Sequence, residues 1–263
     1  MTQNPFLLWL ISGDSALARM APHVGIGRIL VDLERLGKAE RQRHRSLFLS
    51  DHDWRDIEAL RTALPAGSLF VRLDPLHEYS AIQVDKAMAM GVDGVMLPYF
   101  RDAQTVFRFV DLVAGRATLT PLVETVGAVR DLPALLASGA VNEFHVGLND
   151  LALDMKLPSL QQLWGHSMLD GIAMVAREAG IPFGVGGVTD PRLADLPIDP
   201  AFVIAEQRRL NSSRALLGRT FRLSFGDAPD EAEVRAATGA IHRAYARAAE
   251  RALLSQSALQ PAP

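Results

Sequence analysis

Short apolar runs alternate with longer amphipathic stretches along most of the sequence. This alternation constrains the fold more than any other feature. The runs lie at 6–11, 28–33, 69–73, 94–97, 119–124, 143–146, 182–185 and 201–205. They carry little polar alternation, the mark of strands buried on both faces. Helical spacing of apolar residues fills most of the gaps, at 15–24, 53–64, 80–90, 103–114, 129–138 and 159–179. Strands alternating with helices demand a parallel sheet with helical crossovers, and eight such strands close into a barrel. The expected fold class is therefore α/β, a (β/α)8 TIM barrel with a long C-terminal helix at 231–254. A doubly wound open sheet is the alternative, because the segment between the seventh and eighth runs is short and proline-rich. One domain is expected over 1–254, followed by a disordered tail at 255–263.

Composition narrows the chemistry. At 263 residues and 49% hydrophobic, the chain can bury a core of barrel size. Its net charge of -3 argues against nucleic acid as a partner. With no cysteine, thiol nucleophiles and thiolate metal sites are excluded, so a metal would be held by oxygen or imidazole. That favours a hard cation such as Mg2+ or Mn2+. No apolar stretch reaches the ~20 residues that span a bilayer. The N-terminal run lacks a basic segment before it, so it is a poor signal peptide and the expected compartment is the cytoplasm.

In a barrel the reactive side chains gather at the C-terminal ends of the strands. That rule selects Asp32 and Glu34, Arg72 and Asp74, Pro98 and Tyr99, Glu124, and Asn149 with Asp150. Glu124 and Asp150 each follow an apolar strand, and neighbouring carboxylates repel unless a positive group lies between them. A divalent cation is one solution. The other pairs Glu124 with Arg72 and makes Asp150 the N-cap of a helix over 151–155. Spacing leaves both open.

Arg72 closes the run LFVR, where a charge is expensive without a partner. Its guanidinium suits a substrate carboxylate or oxo group, or a salt bridge to Asp32, Asp74 or Glu124. Strand periodicity turns Asp32 and Glu34 the same way. The basic segment 35–45 leaves the same rim, as a solvated loop or as a lid over the site. His52, near a helix start, is a candidate proton carrier. His145, inside the sixth run, reads as a satisfied core residue. The glycines at 184, 186 and 187 read as a tight turn, although barrel phosphate sites occur at this place.

Together these pieces resemble the HpcH/HpaI aldolase and citrate lyase beta-subunit family of the phosphoenolpyruvate/pyruvate barrel superfamily. The matching segments are VDLE at 31–34, VRLD at 71–74, GVDGVMLPYF at 91–100, PLVET at 121–125 and VGLNDLALDM at 146–155, in the family's order. The resemblance implies that Glu124 and Asp150 ligate magnesium or manganese. It implies that Arg72 contacts the oxo or enolate oxygen, and that backbone amides at Leu148, Asn149 and Asp150 hold the substrate carboxylate. The implied chemistry is carbon–carbon cleavage or condensation through a metal-stabilised enolate. The substrate would be a 2-oxo acid, for example a 4-hydroxy-2-oxo acid giving pyruvate and an aldehyde. A citrate-lyase-like or Claisen-type reaction with an acyl-CoA partner, and a non-catalytic binding barrel, are the alternatives. Arg35 stands where pyruvate-type aldolases carry a histidine, so Asp32, Glu34 and His52 are the candidates for the proton shuttle. Family barrels often assemble through their last helices, which implies a homo-oligomer.

Overall fold

The computed structural model describes residues 6–41, 51–226 and 228–258. Eight parallel strands, β1 Leu7–Ile11, β2 Arg28–Asp32, β3 Leu69–Arg72, β4 Gly94–Leu97, β5 Thr118–Val123, β6 Phe144–Val146, β7 Phe183–Val188 and β8 Arg214–Leu217, form a closed barrel in sequence order. Pairing of β1 with β8 completes the ring, which removes the open-sheet alternative. The helices that bear on the site or its support are α1 Ser15–Met20, α2 Lys38–Arg41, α3 Trp54–Arg61, α4 Ser80–Ala89, α5 Ala103–Val113, α6 Val126–Ala137, α7 Leu148–Asp154, α8 Ser167–Ala179, α9 Pro200–Arg209, α10 Arg219–Leu223 and α11 Glu231–Ala258. No helix of the described residues is long and apolar enough to cross a membrane. Residues 259–263 of the expected tail and 42–45 of the basic segment lie outside the described residues.

The eighth strand is not where the apolar run at 201–205 suggests. That run belongs to α9, and β8 is the later segment RALL. Local signals explain it. Asp199 caps the helix by accepting from the Ala201 amide at 2.9 Å, and Pro200 occupies the first turn, where its missing N–H costs nothing. The buried Pro200, Val203, Ile204 and Gln207 share one face at helical spacing. The β7–β8 connection is thus an ordinary helical crossover. The expected helix at 159–179 also divides, because Gly165 at φ +78° breaks it and His166 caps α8 afresh.

Period-two alternation layers the barrel interior. At the N-terminal end, Glu143 accepts from Arg214 Nε at 2.9 Å and from Thr120 Oγ1 at 2.9 Å, and it also binds Arg28. Burial pushes the Glu143 carboxyl up, but the two arginines outweigh it and hold it below the usual range. Above this network lies an apolar layer of Trp9, Leu30, Phe70, Met96 and Leu122. The polar residues of the C-terminal end form the third layer, and they line the site.

Candidate functional site

A cavity of about 890 Å³ opens at the C-terminal end of the barrel. Asp32, His52, Arg72, Glu124, Leu148, Asn149 and Asp150 all line it. Strand register brings the first pair together, since Asp32 ends β2 directly beside Arg72 at the end of β3. Arg72 donates Nε to Asp32 Oδ1 at 2.8 Å and Nη2 to Oδ2 at 2.7 Å. Of the salt bridges open to Arg72 from sequence, the one to Asp32 is made. Asp74 instead accepts the Arg35 and Leu36 amides at 2.6 and 2.8 Å and the Gln83 side chain at 2.7 Å, tying down the start of the β2 loop.

Lys38, at the start of α2, is buried and donates to Asp32 Oδ2 at 2.5 Å. Its Nζ lies 3.3 Å from Glu34 Oε2, and Arg72 Nε lies 3.5 Å from the same oxygen. Sequence reasoning passed over Lys38. Its signal was the four-residue spacing from Glu34, which in a solvated helix counts for little. Burial pushes the Asp32 carboxyl up, but Arg72 and Lys38 outweigh it, so Asp32 stays ionised well below the ordinary aspartate range. Glu34 is 2% exposed and stands behind this cluster, not among the residues that line the cavity.

Across the cavity, β5 and β6 deliver Glu124 and Asp150. Glu124 directly follows β5 and is 2% exposed. Its Oε1 accepts the Tyr99 amide at 2.8 Å, and Tyr99 itself adopts φ +48°. Burial raises the Glu124 pKa well above the ordinary carboxylate value. The charges of Asp150 and Glu34 push it the same way, opposed by Arg72 and the Tyr99 amide. Gly147 makes room for Glu124, because a Cβ there would stand against Oε2 closer than real Cβ atoms approach anything. Asp150 is not a helix N-cap. Gly147 caps α7, and Asp150 sits in its first turn, 8% exposed.

Two buried carboxylates, one of them with its proton affinity raised by the charge of the other, are the donor set a hard divalent cation fits. Among the described residues no three His, Cys, Asp or Glu side chains group as metal ligands. A cation here would therefore rest on Glu124 and Asp150, with its other positions left to substrate and water.

His52 precedes the Asp53 cap of α3, and its Nδ1 accepts the Asp32 amide at 3.1 Å. Burial lowers its pKa, so the ring is neutral with its proton on Nε2. That hydrogen bond occupies the lone pair with which a neutral imidazole would take a proton. His145 corrects a sequence expectation. It is buried beneath the cavity, but neither ring nitrogen has a hydrogen-bond partner among the described residues. Its ring packs edge-on to Trp9 at 4.7 Å, and burial depresses its pKa to about 3.

The HpcH/HpaI aldolase/citrate lyase family model matches residues 5–185, which span the first six strands and the start of β7 and include Asp32, Glu34, Lys38, His52, Arg72, Glu124 and Asp150. The chain belongs to the HpcH/HpaI aldolase/citrate lyase family. No curated protein sequence matches it. Solved structures share its fold at low identity. The citrate lyase beta subunit complexed with oxaloacetate and magnesium from M. tuberculosis superposes with TM-score 0.63 at 15% identity, over 92% of this chain and 98% of that one. An HpcH/HpaI aldolase/citrate lyase family protein from Burkholderia cenocepacia J2315 gives 0.63 at 16%, over 84% and 91%. The HpcH/HpaI aldolase from Desulfitobacterium hafniense DCB-2 gives 0.60 at 15%, over 82% and 86%. The segment beyond 185, with β8, α10 and α11, lies outside the family match.

Proposed function

We propose that this family member is a divalent-metal-dependent carbon–carbon lyase of the aldolase type. Its substrate is a 2-oxo acid, such as a 4-hydroxy-2-oxo acid cleaved to pyruvate and an aldehyde. The observation that carries the reading is the buried Glu124–Asp150 pair facing Arg72 across one cavity. The magnesium bound in the M. tuberculosis relative supports the choice of cation.

In the cleavage, the bond beside the hydroxyl-bearing carbon breaks and its electron pair passes toward the oxo group, giving an enolate. The hydroxyl proton passes to solvent water as the aldehyde forms, and the enolate takes a proton from water at its terminal carbon to give pyruvate. A magnesium or manganese ion held by Glu124 and Asp150 would supply positive charge beside the oxygen where negative charge grows. Arg72 supplies the second positive group. Its Nε and Nη2 are committed to Asp32, so Nη1 is the nitrogen left to meet that oxygen. Asp32 and Glu34 keep the guanidinium in place, and Lys38 holds those two carboxylates. The amides of Leu148, Asn149 and Asp150 open α7 with no side-chain cap, and they receive the substrate carboxylate. His52 offers its Nε2 proton as a hydrogen-bond donor.

Pyruvate release from a panel of 4-hydroxy-2-oxo acids, with and without magnesium, tests this. Metal-dependent release is expected. Activity confined to acyl-CoA substrates, or tight binding without turnover, overturns it. A His52→Ala, Glu34→Gln double variant that turns over like the parent removes both residues from the proton route.

A further inference from the structure

Asp154 closes α7 one turn after Asp150 and stands outside the residues that line the cavity. A carboxylate in the last turn of a helix opposes the partial negative charge gathered there, so the position is unfavourable unless a partner elsewhere offsets it. Asp154 has two such partners. Its Oδ2 accepts the Val126 amide at 2.8 Å, and its Oδ1 lies 3.2 Å from Arg101 Nη2. Val126 opens α6 two residues past Glu124, so a carboxylate that suits its own helix poorly suits the N-terminal end of α6 well. The Arg101 side chain is exposed, and exposed ion pairs contribute little, which makes the amide bond the firmer of the two.

From Arg101 the contacts lead back to Glu124. Arg101 Nη2 donates to the Tyr99 hydroxyl at 2.9 Å, and its guanidinium lies over the Tyr99 ring. The Tyr99 amide in turn donates to Glu124 Oε1 at 2.8 Å. Tyr99 holds φ +48°, a left-handed conformation that is strained for a residue with a side chain and persists only where neighbours enforce it. Thr125 Oγ1 donates to the Phe100 carbonyl at 2.7 Å, and a Cβ on Gly127 would collide with the Arg101 carbonyl. Tyr99, Phe100 and Arg101 are thus fastened in turn to Glu124, Thr125 and Gly127. Asp154 reaches both carboxylates of the pair. It meets Asp150 through one turn of α7, and Glu124 through Val126 and through Arg101 and Tyr99.

We propose that Asp154 is a positioning residue that fixes the separation of Glu124 and Asp150 and, with it, the size of cation the pair accepts. The inference rests on the metal reading of that pair. Magnesium demands near-ideal geometry with oxygens at about 2.0–2.1 Å, whereas calcium takes oxygens at about 2.3–2.6 Å in flexible shells. Two carboxylates held at one separation favour the small ion. Once α7 is free to shift against α6, the pair can open, and the larger ion loses less than the smaller one.

The experiment has two arms on the full chain. In the first, without metal, residue-resolved amide hydrogen exchange is compared in the parent, Asp154→Ala and Asp154→Asn. The Val126 and Tyr99 amides should exchange about tenfold faster or more in Asp154→Ala. They should return toward parent rates in Asp154→Asn, whose side-chain oxygen still accepts the Val126 amide. Tyr99 exchange that matches the parent in Asp154→Ala overturns the proposal. In the second arm, magnesium and calcium are titrated calorimetrically into the same proteins, into Asp154→Glu and into Glu124→Gln. Magnesium affinity should fall by roughly 10–100-fold in Asp154→Ala and calcium affinity by less, so the ratio between the ions narrows. Asp154→Asn should restore most of that ratio. Asp154→Glu, which keeps the charge but pushes the two helix ends apart, should narrow it as alanine does, and it reads the same effect if the alanine protein fails to fold. Equal losses for both ions overturn the proposal. A parent that binds neither ion, or a Glu124→Gln protein that binds both like the parent, removes the metal reading instead. The exchange arm needs no metal and still decides whether Asp154 holds the amide donor of Glu124.

Discussion

Arg72 and Asp32, forty positions apart, meet through two parallel hydrogen bonds of 2.8 and 2.7 Å. A planar guanidinium held on two nitrogens cannot swing, so the positive charge at the rim is fixed before any substrate arrives. The same carboxylate also takes Lys38, and its own backbone amide orients His52. One aspartate thus sets the geometry of three cationic or titratable groups.

Asp32→Asn should cost about 3 kcal/mol of folding stability near pH 7, because it leaves Arg72 and Lys38 buried with only Glu34 opposite. The pH dependence follows from the depressed pKa. A carboxylate held below its unfolded value stabilises fully above about pH 4 and loses that contribution as the pH falls further. Urea unfolding of parent and variant should therefore show a gap at about pH 7 that shrinks at about pH 3. A gap that stays constant would count against this account.

Glu124→Gln should stabilise the metal-free protein by ~1–3 kcal/mol, since it removes a buried charge that Asp150 and Glu34 oppose. It should also abolish metal-induced stabilisation. In the parent, saturating magnesium or manganese at a hundredfold over Kd should add about 2.7 kcal/mol. Thermal melts with and without the ion read both effects. An equal metal-induced rise in parent and variant would place the cation elsewhere.

Gly147→Ala tests the room that Glu124 needs. The added methyl would press on Oε2 and move the carboxylate away from Asp150. Metal affinity should weaken by roughly 10–100-fold, the scale seen when support for a ligand is disturbed. Isothermal titration with manganese checks this, and parent-like affinity in the alanine protein would be incompatible with it.

His145→Leu should change the acid limb of the stability curve. The folded-state pKa of about 3 lies below the unfolded value, so the neutral ring contributes in full above about pH 6.5. Its contribution then falls by at most about 1.4 kcal/mol per pH unit as the pH drops toward 3. Leucine matches the apolar layer of Leu30 and Leu122 and removes that slope. Denaturant midpoints between about pH 7 and pH 4 should flatten in the variant. An unchanged slope would mean that another group carries it.

Several elements were legible because their signals are local. β4 was readable end to end from GVML, an apolar run with a glycine at its start. The rim positions of Asp32, Arg72, Glu124 and Asp150 followed from counting to the end of each strand. The eighth strand was misplaced because AFVIA is apolar enough for either state, and the Asp199–Pro200 start signal outweighs it. Lys38 was missed because a lysine seven positions past the start of a strand end's VDLE segment reads as solvent-facing until its carboxylate partners are placed around it.

The sequence by itself determined the class of fold and the ends of the strands on which the acidic and basic residues sit. Strand periodicity and helix caps act over a few residues, and they are written in order along the chain. Only the closed barrel decided which charges meet. It set Asp32 between Arg72 and Lys38, left Glu124 beside Asp150, and shut His145 away with no hydrogen-bond partner among the described residues. Those relations depend on register and burial across segments far apart in sequence. The energy of a charge is set by the dielectric and the neighbours that surround it, which do not exist until the ring of strands has closed.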